Sequence, residues 1–397
     1  MEFIQEQLST PVRESYDVIV VGGGVAGISA ALAAARRGAR VLLAERGFML
    51  GGLATAGLVT IYLPLCDGRG KQVSYGLAEE LLRLSASMGV EADYPEAWLG
   101  DRTEKRAEQR FMLRYNAQLF ALLAEEALIQ SGVTVRYGLT LVGVDCRNDR
   151  VYAAIFEEKG GRYAARAHSY VDATGDADVF HLSNAPTRAF RQGNVLAAWY
   201  YSAGRDGVNL NPLGFCDVPD ERRDELKTPE LLVNRRFRGL DGAELSEMVC
   251  AAHAQVLGDV RRRRENDPEL SPVTLPTIPQ VRMTCCIVGE YILRDDENDV
   301  CFSDGIGRIA DWRRRGYVYE IPYRALYSAK LKNVIAAGRC ISATDAMWDV
   351  TRVIPVCAVT GEAAGTAAAM TDDFAALDSA RLRAELRRKC DRPDIAD

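Results

Sequence analysis

The chain has 397 residues, 48% hydrophobic and 26% charged, an ordinary globular balance that excludes global disorder and collagen-like or low-complexity sequence. Its formal net charge of −6 is not the basic footprint of a protein that lives on nucleic acid. At roughly 150 residues per domain, the length suits two or three domains, or one large nucleotide fold carrying an inserted second domain.

Residues 1–15 read as a loose tail or short edge element, polar and acidic and unlike a signal peptide. Tyr16–Val21 is a buried-strand run, a helix follows from about Ala26 to Arg37 with Gly38 as its C-cap, and Arg40–Glu45 is a second strand. Strand, helix and strand within so short a span make a βαβ unit with a parallel pair. Residues 47–75 read as glycine-rich loops and Gly76–Ser85 as helix. Asn116 is a good N-cap for a long amphipathic helix ending at Gly132. Strands are expected over 133–137, 141–146, 151–157 and 162–171, with turns at Asn148-Asp149 and Lys159–Gly161.

From about 190 to 325 prolines and charge clusters multiply and the nucleotide-fold texture is lost. The Arg261–Arg264 run reads as a solvated helix face. The texture returns at Leu331–Gly338, followed by a Gly/Ala-rich helix over about Pro355–Met370. We therefore expect an α/β protein: a discontinuous Rossmann-like nucleotide domain at 14–190 and 325–375, an inserted cap or substrate domain at 190–325, and a C-terminal helix or tail at 376–397. The apolar stretches Val18–Ala35 and Val353–Met370 are broken by Gly22-Gly23-Gly24 and by Pro355 and Glu362, so no membrane span is expected.

The strongest local signal is Gly22-x-Gly24-x-x-Gly27 between the first strand and helix. Gly22 permits a tight turn, Gly24 lets a pyrophosphate approach the backbone, and Gly27 lets helix and strand pack closely. The first helical turn, opening at Val25 and Ala26, offers unpaired N–H groups and a positive dipole end. Glu45 ends the second strand, where a carboxylate can accept from both ribose hydroxyls and repel a 2′-phosphate. A second glycine-rich pass, Gly51-Gly52-Leu53-Ala54-Thr55-Ala56-Gly57, and the distant turns Ala173-Thr174-Gly175-Asp176 and Gly338-Arg339 suit a longer ligand than NAD.

The segments YDVIVVGGGVAGISAALAAARRGARVLLAERGFMLGGLATAG, VDATGDADV, YEIPYRALYSAKLKNVIAAGRCISATDAM and RVIPVCAVTGEAAGTAAA resemble the FAD-dependent oxidoreductase family that shares the glutathione-reductase-type FAD fold, on the branch near fumarate-reductase-like flavoproteins. The resemblance implies FAD as cofactor. It implies that Gly22, Gly24 and Gly27 hold the pyrophosphate and that Glu45 and Arg46 hold the adenosine side. Gly52, Leu53, Ala54 and Thr55 would line the flavin approach, Val142 would touch adenine by its backbone, and Thr174, Gly175 and Asp176 would close over the adenosine half. Gly338 and Arg339 would reach the ribityl chain, where many relatives carry an acid. Val356 and Cys357 would offer backbone N–H groups to the flavin pyrimidine edge. Pro355 fits the start of that helix, because its missing N–H is not needed there.

Flavin carries the hydride itself, so the protein need only place a substrate and at times move a proton. The three histidines, His168, His181 and His253, read as structural. Arg282, Arg324 and Tyr323 are the catalytic candidates, with Arg352 weighed more as structure; an arginine fork can bind a carboxylate or a developing enolate. The ten cysteines include no CxxC pair and no metal site is expected. Adjacent Cys285-Cys286 would close only a strained ring, and Trp312 and Trp348 read as core. Free thiols without an export signal point to the cytoplasm. The expected function is hydride transfer between a small polar metabolite, carboxylate- or carbonyl-bearing, and FAD. The electron partner is external and unidentified, and homo-oligomerisation is left open. A flavoprotein acting on tRNA and a non-catalytic protein retaining the fold are the alternatives.

Overall fold

The computed structural model describes residues 2–214, 231–387 and 393–395. Cys216, Cys390 and the 215–230 portion of the inserted segment lie outside the described residues. The main sheet starts with β1 (Val12–Val21), joined through α1 (Val25–Ala35) to β2 (Val41–Ala44). It continues through α2 (Ala117–Gln130), β3 (Thr134–Arg136), β4 (Thr140–Arg147), β5 (Arg150–Glu158) and β6 (Gly161–Asp172). The strand order is β3-β2-β1-β6-β5-β4. β1 pairs in parallel with β2 (Val18↔Val41) and with β6 (Val18↔Ser169), whereas β4, β5 and the start of β6 form an antiparallel meander. The strand Val334–Ala336 pairs in parallel with the end of β6, Val334 opposite Tyr170. Late chain thus returns to complete an early sheet.

The sequence explains the centre of this arrangement. Val18–Val21 and Val41–Ala44 are buried throughout, as parallel strands covered on both faces must be. β1 begins at Val12, ahead of the expected Tyr16, because the chain before Tyr16 pairs with β6 across a bulge. Asn116 caps α2 by accepting from the Leu119 amide at 3.0 Å.

The helix Ile354–Ala368 lies directly on α1. A Cβ at Gly361 would meet the Ala26 carbonyl oxygen at 2.2 Å, and one at Gly365 would meet that of Ala30 at 2.0 Å. Only glycine tolerates this approach. Because 361 pairs with 26 and 365 with 30, the two helices run in the same direction and their N-termini open at the same end of the sheet.

The inserted segment carries small cores of its own. The strand Ala198–Gly204 is flanked by Gly207–Leu213 and Ser271–Thr274, and the long helix Gly242–Arg264 covers Tyr200 with Val256 and Val260. Leu196, Phe237, Met248 and Val281 form a second cluster. In contrast, Ile306, Ile309, Tyr319 and Ile321 join the main core, so separate packing extends over 196–281 within the 190–325 segment. No helix among the described residues is long and apolar enough to cross a membrane.

Candidate functional site

A cleft of about 580 Å³ opens where β1, β2, β6 and Val334–Ala336 end. This is the carboxyl edge of the parallel strands, the usual ligand position in an open α/β sheet. The glycines there differ in role. Gly22 has φ +101° and sits against the Ala173 carbonyl, while a Cβ at Gly27 would lie 1.8 Å from the Gly22 carbonyl oxygen. Gly24 is the exception: its Cβ would meet nothing within 4 Å, and it lines the cleft at the N-cap of α1. A ligand can therefore come against bare backbone at the positive end of an 11-residue helix.

The Glu45 carboxylate stands at the end of β2, accepting from the Gly23 amide at 2.7 Å and the Gly47 amide at 2.6 Å. These bonds fix it at the cleft wall and leave each oxygen a lone pair for a hydroxyl. Gly51 donates to Gly23 O at 2.8 Å, so the second glycine-rich turn docks on the first. Val25, Ala26, Arg46, Gly51, Gly52, Leu53 and Ala54 all line the cleft. Thr55 does not: it is buried, and its hydroxyl donates to the Leu50 carbonyl, fastening the turn from behind. Ala173, Thr174 and Gly175 line the opposite side. Asp176 is turned away, accepting from Arg339 at 2.5 Å and from the Thr284 hydroxyl. Behind this turn, Asp172 is fully buried; burial, then neighbouring Asp178, pushes its pKa up to about 7.

Val142, expected to touch adenine by its backbone, does not line the cleft. It falls in a β-bulge between the Leu141 and Gly143 pairings, and the wall there is Leu139, Thr140 and Leu141. Gly338 and Arg339 line the cleft, but Arg339 donates to Gly175 O and Val281 O, both at 2.7 Å, as well as to Asp176. It ties the turn after β6 to the inserted segment. At the start of the helix Ile354–Ala368, Val356 is buried, and the Cys357 amide donates within the helix to Val353 O. The cleft is reached by Ile354 and Cys357, with Arg352 just before them, and Pro355 occupies the first turn. Burial pushes the Cys357 thiol up to about 12.

The catalytic candidates are not gathered at the cleft. Arg324 makes a two-point pair with Asp304, Nε at 3.0 Å and Nη2 at 3.2 Å, and is partly exposed. Tyr323 is buried, with its hydroxyl on Phe374 O at 3.0 Å. Arg282 is buried in the inserted segment, its guanidinium 5.3 Å from the Trp199 ring centroid. Neither of the first two reaches the cleft, because the chain returns from the inserted segment into the main core rather than along the ligand surface. The histidines do not line the cleft. Trp348 is core and Trp312 donates to Asp349 O. Cys285 and Cys286 are both free thiols, and no metal-ligand cluster occurs among the described residues.

Sequence reasoning missed Phe48, Asp178 and the run Thr277–Pro279, all of which line the cleft. The run comes from the inserted segment and is latched by the Thr277 amide to Ala56 O at 2.9 Å and by Gln280 Nε2 to Gly57 O at 2.5 Å. Arg352, weighed more as structure, is the outer member of a buried network and also lines the cleft. Arg352 donates to Asp349, Asp349 accepts from Arg313 at 3.3 Å, and Arg313 makes a two-point pair with Asp311 at 3.0 and 3.1 Å. The Arg313 amide also donates to Asp311 at 2.9 Å, and Arg314 adds a fourth bond, likewise at 2.9 Å.

Comparison with known proteins gives a family match over residues 17–198 and 215–386, to the family described as FAD dependent oxidoreductase. A thioredoxin reductase of Ureaplasma parvum is 35% identical over 80 residues, 20% of this chain and 26% of that protein. An aklavinone 12-hydroxylase of Streptomyces peucetius is 39% identical over 87 residues, 21% of this chain and 16% of that one. The chain thus spans about a quarter or less of these relatives. Among solved structures, a geranylgeranyl bacteriochlorophyll reductase-like protein from Thermoplasma acidophilum aligns over 95% of this chain and 84% of its own, at 14% identity and TM-score 0.48.

Proposed function

The chain belongs to the FAD dependent oxidoreductase family, and within it we propose hydride transfer between FAD and a small polar metabolite bearing a carboxylate or carbonyl. Family membership makes FAD the cofactor and oxidoreduction the class of chemistry; the substrate and the residue roles are our reading. The observation that carries it is the parallel pair of helix N-termini opening on one cleft, with the Glu45 carboxylate on its wall.

In this reading Gly22, Gly24 and Gly27, with the α1 N-terminus, hold the pyrophosphate, and Glu45 holds the adenosine ribose. Bound FAD supplies the two-electron acceptor or donor. The N-terminus of the helix Ile354–Ala368 and the Arg352 charge favour anionic character at the other end of the cleft. Arg352 is our candidate anchor for an anionic substrate group, in place of Arg324 and Tyr323. The part of the 190–325 segment with its own core, 196–281, is our candidate cap; Thr277–Pro279 closes the cleft at that end and excludes water. Arg282 stays a candidate for holding the cap face through Trp199. A tRNA-acting flavoprotein draws no support from the family or from these relatives.

The test is anaerobic mixing of the purified flavoprotein with a panel of small hydroxy acids, oxo acids and alcohols, followed by flavin bleaching or reoxidation. A response confined to anionic members, weakened by Arg352→Met with FAD still bound, is expected. Release of no FAD on heating removes the reading, and equal response to neutral and anionic members removes the anionic substrate.

A further inference from the structure

We propose that Phe48 is the base-stacking wall of the dinucleotide site, a position that neither the family motif nor the glycine spacing indicates. The proposal rests on the reading that the adenosine half lies at the Glu45 end of the cleft.

Phe48 is 85% exposed yet lines the cleft. A phenyl ring left so fully in water costs hydrophobic stabilisation unless something covers it. This ring does not wander on a loose loop. The 45–48 segment is bonded to the chain leaving β3: Glu45 N to Arg136 O at 2.9 Å, Gly138 N to Gly47 O at 3.1 Å and Leu139 N to Glu45 O at 3.0 Å. The tip of the ring then lies against Gly138. A Cβ at Gly138 would stand 2.9 Å from Cζ, 3.3 Å from Cε1 and 3.7 Å from Cε2 of Phe48. Gly138, at φ +62° and without a side chain, thus leaves room for the ring tip.

Most of the remaining ring area is open to water. Leu139, Thr140 and Leu141 line the cleft in the chain just after Gly138. Ring and strand residues therefore flank the place beyond the carboxylate that would take the ribose hydroxyls. A flat, weakly polar base attached to that ribose is the ligand group whose chemistry matches an exposed aromatic face. A base stacked on an aromatic side chain contributes about 1–3 kcal/mol by alanine substitution, which is roughly 5- to 150-fold in Kd.

The experiment strips the flavin from the holoprotein and titrates the apoprotein with FAD and with ADP, for the parent and for Phe48→Ala, Phe48→Leu and Phe48→Trp. Phe48→Ala should raise both Kd values by a similar factor, about 5- to 150-fold. Phe48→Trp should stay within about twofold of the parent and Phe48→Leu should fall between, since it keeps apolar area without a π face. The position is exposed, and circular dichroism of each variant checks that the fold is kept. Equal FAD and ADP affinities in parent and Phe48→Ala overturn the proposal while leaving FAD binding intact. A parent that binds ADP but not FAD overturns the FAD reading and leaves the stacking role to be read from ADP. A parent that binds neither overturns both.

Discussion

Asp349 is a demanding position to fill. Its carboxylate is fully buried and serves two cations, Arg313 and Arg352, while Arg313 and Arg314 share Asp311. Among these five groups, three guanidinium groups face two carboxylates, one positive charge in excess. Asp349→Asn leaves two. At an effective dielectric of about 20, a charge pair at the 3.3 Å of Arg313–Asp349 has a gross Coulomb energy of about 5 kcal/mol. Desolvation of both ions offsets much of that, and removing one partner of a buried pair typically costs about 3–5 kcal/mol. The amide oxygen of Asn can still accept one bond, so a loss near 3 kcal/mol is expected. Guanidinium titration of the holoprotein reads it as a lower midpoint at unchanged slope. The discriminating variant is Asp349→Asn with Arg352→Met, which returns the cluster to one net positive charge. It should recover roughly 1 kcal/mol or more relative to additivity. A single-variant loss under about 1 kcal/mol, or strict additivity in the double variant, would refute the argument that charge imbalance is what costs stability here.

Two further outcomes are expected. Gly365→Ala places a methyl 2.0 Å from the Ala30 carbonyl oxygen, a backbone atom that cannot swing aside, so the two helices must part; overpacking of this kind costs about 1–3 kcal/mol, and melting temperature and flavin-to-protein ratio should fall together, whereas an unchanged ratio would show that the cleft does not depend on this contact. The raised Cys357 thiol should resist alkylation in the apoprotein, because a pKa pushed up to about 12 leaves it almost wholly protonated at pH 8.5. Its labelling, followed by peptide mass spectrometry, should climb about tenfold per pH unit from 7 to 10 without levelling, whereas exposed Cys250 and Cys301 should label first; a plateau near pH 9 would contradict the burial argument.

What the sequence made legible was local. The run Val18–Val21, the spacing of Gly22, Gly24 and Gly27, and the cap at Asn116 each express a constraint acting over a few residues, and all lie close to where they were expected. The displaced assignments share a different origin. Arg324 looked available because its carboxylate partner, Asp304, is twenty positions away in the chain. Thr55 looked like a ligand contact because Gly51 and Gly52 beside it line the cleft, although its side chain faces the turn's interior. Val142 does not line the cleft, because it falls in a β-bulge that alternation alone does not reveal. The helix Asp345–Thr351, which positions Asp349, is too short to show a period.

The same distinction bears on how the two ends of the cleft are built. At the Glu45 end, close approach is set by glycines whose neighbours are backbone atoms: Gly22 against Ala173, Gly27 against Gly22. A side chain at Gly22 or Gly27 would collide with main chain, so this part of the geometry is written in the identity of single residues. At the other end, the inserted segment is held by Thr277 N on Ala56 O, Gln280 on Gly57 O and Arg339 on Val281 O. Each of these bonds uses a carbonyl, which every residue possesses, on at least one side. The cap's position therefore leaves little trace in residue type on the receiving chain. This is why the Glu45 end of the cleft could be read from glycine spacing, and why Thr277–Pro279 emerged as a cleft wall only from the fold.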